Sequence, residues 1–596
     1  MKRIFFVCSI ILALTSTMSC DDNLDLQPLD QFADGAVWDD DPALIEAFVN
    51  YIYNGFGQTG VRVMMSTYVD ETMLTFGWSA DQVTNSLITP SSYSRFGNAA
   101  DQSNCFVWEV IYKYIRACNI FFEKIEDAKA VNAEQKEKLK GEVHFLRAYL
   151  YHNLLAAYGG FPIVDRAYTL NDDFFVPRNT FEECVNFIID DLDNAAAKLT
   201  DDMDLGRPTK GAALALKSRV LIRAASDLYN SNASWTSGYS NPELIGYVGG
   251  DRNSRWQQAK DAAKAVIDLG VYSLHKGEPS ETDNIANNYG EIFLLKQTSE
   301  DIFCKYYNQN IISNLVMPAL NNGPNGWHLR GANTPIGQLV DDYQMSDGSE
   351  FDWNNPEHRA KPYVNREPRF YASILYDGAI WRVRPDDVQV LDPIGIIQTS
   401  FKEQWNTLTN SIDIIPGLDT RKSPTDDWNG SYTGYYLRKG TDPSLDARFT
   451  QQDCPYRYIR YTEVILNYAE ACIELGEEYE AKKYIDLVRK RAGLPPVIAT
   501  GDELRACYRH ERRIELAFED HRFFDVRRWM IAPDVYVNVQ GIDILHKLND
   551  DKLTTTPVYK IIPSVQNRAW KDRFYFLPIK LDEMNRNDKL IQNPGY

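Results

Sequence analysis

Apolar residues return every three or four positions through residues 142–157. Val143, Leu146, Tyr149, Leu150, Leu154 and Ala157 fall on one wide stripe of a helix. Gly159-Gly160, followed by Pro162, stops it. The same pattern recurs at 106–127, 180–199, 209–229 and 256–269, and again at 461–475, 479–491 and 502–518, where Asp502 is the expected cap. Alanines 212, 213, 215, 224 and 225 leave room for a neighbouring helix to come close. Gly270, Gly476 and Gly493-Leu494-Pro495-Pro496 separate members of the series. Helices paired antiparallel across short turns predict a stacked scaffold of tetratricopeptide type. The fold class is therefore mainly α: a helix-turn-helix scaffold with long irregular loops and a few short strands.

The loops are the second constraint. Stretches 76–105, 306–370 and 380–456 are rich in Gly, Asn, Asp, Pro and aromatic residues. Loops of that length are usually functional or disordered, and their aromatic content argues against disorder. The expected organisation is a signal peptide over 1–19, a tether over 20–40 and a single domain over 41–596. Its scaffold lies mainly in 41–270 and 457–530, its ligand-binding loops mainly in 76–105 and 306–456.

The N-terminus sets the expected location. Lys2 and Arg3 precede an apolar run, Ile4 to Leu14, well short of the ~20 residues of a membrane-spanning helix. Thr15, Ser16, Thr17 and Ser19 lead into Cys20. This arrangement resembles a bacterial lipoprotein signal, in which Cys20 is lipidated and becomes the new N-terminus. Two or more acyl chains hold a protein stably at a membrane, so a soluble body on a lipid anchor is expected. The chain carries 63 basic and 83 acidic side chains, a formal charge of −20. Such a surface does not bind nucleic acid, which requires cations at the phosphates. Beyond Cys20, seven cysteines form no CxxC pair and match no zinc or disulfide framework. Cys118, Cys472 and Cys507 sit in helical segments and read as core residues.

Catalytic motifs are scarce. Residues 55–60 match GxGxxG, but a helical pattern precedes them instead of a strand, so they read as a turn. No GxxxxGK[ST], HExxH or GxSxG is present, and His510 and His521 lack metal-ligand spacing. No cofactor is expected. A structural calcium is possible at acidic pairs such as Asp341-Asp342, although they match no EF-hand spacing. A glycosidase needs two carboxylates roughly 5–9 Å apart, and no pair of acids stands out.

Residues 508–529, YRHERRIELAFEDHRFFDVRRW, are the most unusual run. Arg512 with Glu515 and Glu519 with Arg522 have i,i+3 spacing. Glu511, Glu515 and Glu519 line one face beside Arg509 and Arg513, which reads as an ion-pair network knitting a helix to its neighbours. The run also resembles the C-terminal signature of the SusD/RagB family of Bacteroidetes outer-membrane lipoproteins. Five further motifs resemble that family in order: Leu24-Asp25-Leu26-Gln27-Pro28, Leu146-Arg147-Ala148-Tyr149 with Tyr158-Gly159-Gly160-Phe161-Pro162, Gly206-Arg207-Pro208-Thr209, the segment 460–471, and Gln592-Asn593-Pro594-Gly595-Tyr596. The resemblance implies one tetratricopeptide-like domain, cell-surface exposure on the outer membrane, and glycan capture above a SusC-like TonB-dependent transporter. Asp21-Asp22 after Cys20 resembles the surface-export signal of such lipoproteins.

Family members bind glycans on aromatic rings in the irregular loops, where sugar C–H faces stack. Aromatics outside helical periodicity and beside polar turns are the candidates. They are Trp78 with Asp81, Tyr93 with Arg95, and Trp327 with Arg330. Trp353, Trp381, Trp405 and Trp428 rank lower, because no polar group converges on them in sequence. Two other readings stay open: capture of a non-glycan nutrient such as a cationic peptide, drawn by acidic loops, and a glycoside hydrolase.

Overall fold

The computed structural model describes residues 36–57, 63–76, 80–93, 106–230, 236–308 and 318–596. Cys20, the signal segment, Trp78 and Arg95 lie outside the described residues. Among those described, no helix is long and apolar enough to cross a membrane.

The periodic segments are helices. Trp108–Ile125, Ala133–Tyr158, Phe181–Lys198, Lys210–Ala225 and Arg252–Asp268 pack each on the next. Tyr461–Glu474, Glu478–Arg491 and Gly501–Glu515 continue the array. The two blocks join where Tyr461–Glu474 lies on both Arg252–Asp268 and Lys210–Ala225. Small residues permit that approach: Ala212, Ala213, Ala215, Ala224 and Ala225 are buried, and Asn467 Nδ2 donates to Ser218 Oγ at 3.3 Å. Asn132 with Gln135, and Thr180 with Glu183, form capping boxes at two helix starts. Gly159 ends the long helix with φ 77°, and a Cβ there would stand 2.5 Å from the Leu244 carbonyl oxygen. The helix from Gly501 instead has Thr500 at its N-cap, with no side-chain bond, so Asp502 lies inside the first turn. Cys118 and Cys472 are buried as expected, but Cys507 is exposed on the outer face of its helix, correcting its reading as core.

The charged run forms the hub of the fold. Glu515 is 0% exposed and accepts from Arg460 at 2.8 Å, from Arg369 at 3.0 Å and from Arg491. Glu300, also fully buried, takes Arg460 at 2.8 Å and Arg491 at 2.6 Å. Glu519 takes Arg460 and Lys439, and Glu511 takes Arg369 and Arg489. The i,i+3 pairs expected from spacing are absent. Arg512 turns to Asp525 at 2.8 Å, and Arg522 grips Asp70 with two bonds of 2.9 Å. Burial decides this outcome: in a dry interior a carboxylate needs several donors, and only distant segments supply them.

Beside that hub, burial and then the adjacent Asp70 push the Glu71 carboxyl up to about 8. Glu71 Oε1 accepts from the Phe518 amide at 3.2 Å, while Oε2 has no partner. A raised carboxyl is protonated in the folded chain where the unfolded chain has already ionised. Stability from this group is therefore whole below about 4.5 and is lost as pH rises toward 8. Glu71→Gln should remove a slope of about 1.4 kcal/mol per pH unit across that interval. Thermal melts of both proteins at pH 5 and pH 8 check this. The comparison isolates Glu71 from His152 and His521, whose depressed values make stability rise with pH.

The central insertion is not a bare loop. Phe401–Asn406 and Ser411–Pro416 form a hairpin, and Phe401–Asn406 also runs parallel to Val539–Leu548. Val539–Leu548 pairs in turn with Thr555–Gln566, giving a four-stranded sheet. This sheet packs beside the helical array, and its last two strands are longer than any strand the sequence suggested.

Candidate functional site

The loops form a module around a buried arginine. Arg384 donates to Asp392 at 2.8 Å and makes two bonds to Asp419 at 2.9 and 2.8 Å. Asp419 also accepts from the Gln398 and Gly326 amides. The guanidinium lies 3.6 Å from the centre of the Trp327 ring, and Trp381 meets that ring edge-on at 5.0 Å. Trp327 is 1% exposed, with its Nε1 donating to the Val383 carbonyl. This corrects its reading as a stacking platform: it is the core of the module, with its ring already occupied. Asn325 explains why a Gly-rich turn is buried here. Its Nδ2 donates to the Thr420 and Asp426 carbonyls and its Oδ1 accepts from Tyr436, so the turn's polar groups are satisfied without water.

The module presents a different aromatic. Trp428 is 63% exposed, and Phe76 lies 5.7 Å from its ring centre. Strand Thr72–Leu74 pairs with Asn333–Pro335, and Thr75 donates from N and Oγ1 to the Ala332 and Gly331 carbonyls. Gly331 has φ 48°, and a Cβ there would stand 2.5 Å from the Asn429 carbonyl oxygen. These contacts bring segments 75–76, 330–331 and 428–429 together. Along the same loop, Tyr432 is 40% exposed with Arg421 stacked 3.6 Å from its ring centre. Asp427 is exposed beside Trp428. The open Trp428 ring, with the Asp427 carboxylate beside it and the Arg421–Tyr432 stack along the loop, makes a surface that can stack a sugar ring and bond its hydroxyls.

The predicted residues divide. Arg330 belongs to this neighbourhood, half-buried, with Nη1 on Asn321 Oδ1 at 2.9 Å. Asp81 is exposed on the short helix Ala80–Thr84, which packs against the C-terminal stretch through Asn85 and Asn567. Tyr93 packs on the helical body with Lys580 5.4 Å from its ring centre, so it does not join Trp327 and Arg330. Trp353 bonds Asp341 at 3.0 Å and Asp342 pairs with Arg513, so both candidate calcium ligands are engaged by protein. Among the described residues no three His, Cys, Asp or Glu side chains cluster as metal ligands. Sequence reasoning passed over Trp428, although Asp426-Asp427 and Asn429-Gly430 flank it with the polar turn context used to pick the other rings.

Solved structures share this helical fold. The model described as the SusD family matches residues 296–596, and one described as starch-binding and associating with the outer membrane matches 24–222. The chain belongs to the SusD family. A SusD-like protein of Bacteroides ovatus is 24% identical over 90% of this chain and 85% of its own length. SusD-like protein P25 of Formosa agariphila is 22% identical, covering 82% and 79%. A SusD-like crystal structure from Bacteroides fragilis superposes with a TM-score of 0.75 at 28% identity, covering 96% of this chain and all of that one. A laminarin-binding SusD-like protein shares the fold, with a TM-score of 0.58 at 18% identity over 93% of this chain and all of that one.

Proposed function

We propose that the protein is a non-catalytic glycan-capture lipoprotein of the outer-membrane surface. It holds oligo- or polysaccharide on the loop bearing Trp428 and hands it to a TonB-dependent transporter, with Cys20 as the lipid anchor. One observation carries the reading: a 63% exposed tryptophan, set against Phe76, stands on a module whose interior is locked by Arg384. An exposed ring packed on a second aromatic and set among polar turn residues suits stacking on a sugar face. The outer-membrane and starch-binding description of the matching family model supports the location and the ligand class, as does the laminarin-binding relative in fold.

Trp428→Ala should weaken binding of a cognate polysaccharide about tenfold or more, ~1.4 kcal/mol. Calorimetry on the wild type and variant measures it, and chromatography of the polysaccharide after incubation should show unchanged length. Equal affinity in the two proteins removes the loop as the site, and shortened polysaccharide overturns the non-catalytic reading. Binding of peptides with no polysaccharide bound would replace the ligand class.

A further inference from the structure

A groove of about 320 Å³ opens on the helical body, between Trp108–Ile125, residues 162–176 and the C-terminal residues 583–590. Tyr112, Tyr168, Phe174, Arg116, Arg166 and Arg586 line it, with Glu583 as the sole lining carboxylate among the described residues. We propose that it is a second carbohydrate site, for a sugar unit bearing a carboxylate or a sulfate ester. The proposal takes its ligand class from the glycan-capture reading but stands on separate residues.

Three observations carry it. The first is charge. On a chain of net charge −20, the charged lining of this groove is three arginines against one glutamate. Arg166 pairs with Asp172 at 2.6 Å and Arg586 with Glu583 at 2.8 Å. Arg116 is exposed, and Nη1 donates to the Tyr168 carbonyl at 2.6 Å. Among the described residues it has no carboxylate partner, which leaves the Nε and Nη2 edge of the guanidinium for an oxyanion.

The second is an open ring. Phe174 is 52% exposed and lies T-shaped to Tyr168 at 6.0 Å between ring centres, so about half of the side chain is open to a sugar C–H surface. The third is preorganisation. Tyr112 Oη donates to the Pro162 carbonyl at 2.7 Å, Asn119 to Val164 at 2.8 Å, and Asn587 to Val176 at 2.8 Å. The loop forming the wall is thus stitched to both flanks, and little entropy is lost when a ligand enters. The volume lies in the range of small-molecule clefts.

Calorimetry on the full chain, with trigalacturonate, a sulfated galactan trisaccharide and neutral maltotriose as probes, tests the site. At least one anionic probe should bind and should weaken as salt is raised. Arg116→Met should weaken it tenfold or more, Arg116→Lys should restore part of that loss, and Phe174→Ala should weaken it about fivefold. Trp428→Ala should leave it within twofold, and the two probes separate carboxylate from sulfate recognition. The proposal is overturned if neither anionic probe binds, if Arg116→Met binds as the wild type does, or if Trp428→Ala abolishes the signal. Anionic binding lost in Arg116→Met, with no neutral glycan bound anywhere, would uphold this groove while removing the site at Trp428.

Discussion

Replacing Glu515 with alanine should destabilise the protein by about 3–5 kcal/mol, the range for breaking a buried ion pair by removing one partner. The carboxylate is 0% exposed and three arginines converge on it, from residues 369, 460 and 491. Without it, Arg491 retains Glu300, Arg369 retains Glu367 and Glu511, and Arg460 retains Glu300 and Glu519. Lys439 and Arg489 draw on Glu519 and Glu511 as well, so five buried cations are left with four carboxylates. Burial alone would raise the Glu515 carboxyl, but Arg491, Arg460 and Arg369 outweigh it and hold it far below the usual carboxylate range. A depressed carboxyl contributes stability that is whole above its unfolded value of about 4.5 and is lost progressively as pH falls below it. At neutral pH the full cost should therefore appear in urea unfolding. Glu515→Gln keeps the shape and loses the charge, and should fall between variant and wild type. Breaking the exposed i,i+4 pair Lys264–Asp268 should cost below about 1 kcal/mol. An effect of Glu515→Ala no larger than that control would refute the hub.

Arg384→Met should have an effect of similar size but a different character. It leaves Asp419, 1% exposed, without its cation, and Asp392 without its anchor. Asp419 keeps two amide donors, so part of its solvation survives. The loss should be about 3 kcal/mol, falling on the loop module. The helical array is held by contacts that Arg384 does not touch, so far-ultraviolet circular dichroism should keep its helical signal. Loop 419–433 is positioned through Asp419 and through Asn325 on the Thr420 and Asp426 carbonyls. Releasing it should scatter Trp428 and weaken glycan binding tenfold or more. Binding at wild-type strength in a folded Arg384→Met protein would separate the module's interior from its surface.

The helices were legible in the sequence because burial on one side repeats every 3.6 residues and the stop signals are local. Tyr461–Glu474 and Glu478–Arg491 fall within a residue or two of their patterns. The long strands Val539–Leu548 and Thr555–Gln566 were not, and in the second Pro557 and Pro563 argue against a strand. They are tolerated because Thr555–Gln566 is the sheet's edge, a fact set by tertiary order. The proposed site was legible only as a class of loop. The resemblance pointed to aromatic loops, and Arg330 lies in the neighbourhood of the loop that bears Trp428. Trp327 and Trp428 share turn-like surroundings, and only folding distinguishes them. Asn325 and Arg384 hold Trp327 inside, while Trp428 stays exposed beside the buried Asn429.

The junction of Tyr461–Glu474 with Arg252–Asp268 has a consequence for the order in which the chain can assemble. Trp256, Ala259 and Ala262 pack with Ala471, a partner made some 200 residues later. A chain emerging N-terminus first must hold that apolar face uncovered until the whole insertion has followed. Closing so long a loop costs little more than closing a short one, because the entropy grows only with the logarithm of length. It does slow folding, since the contact is remote in sequence. The insertion is thus cheap for the finished molecule and expensive for the nascent one, although its own core around Trp327 is made of residues 319–447 alone and needs no helix of the array to close.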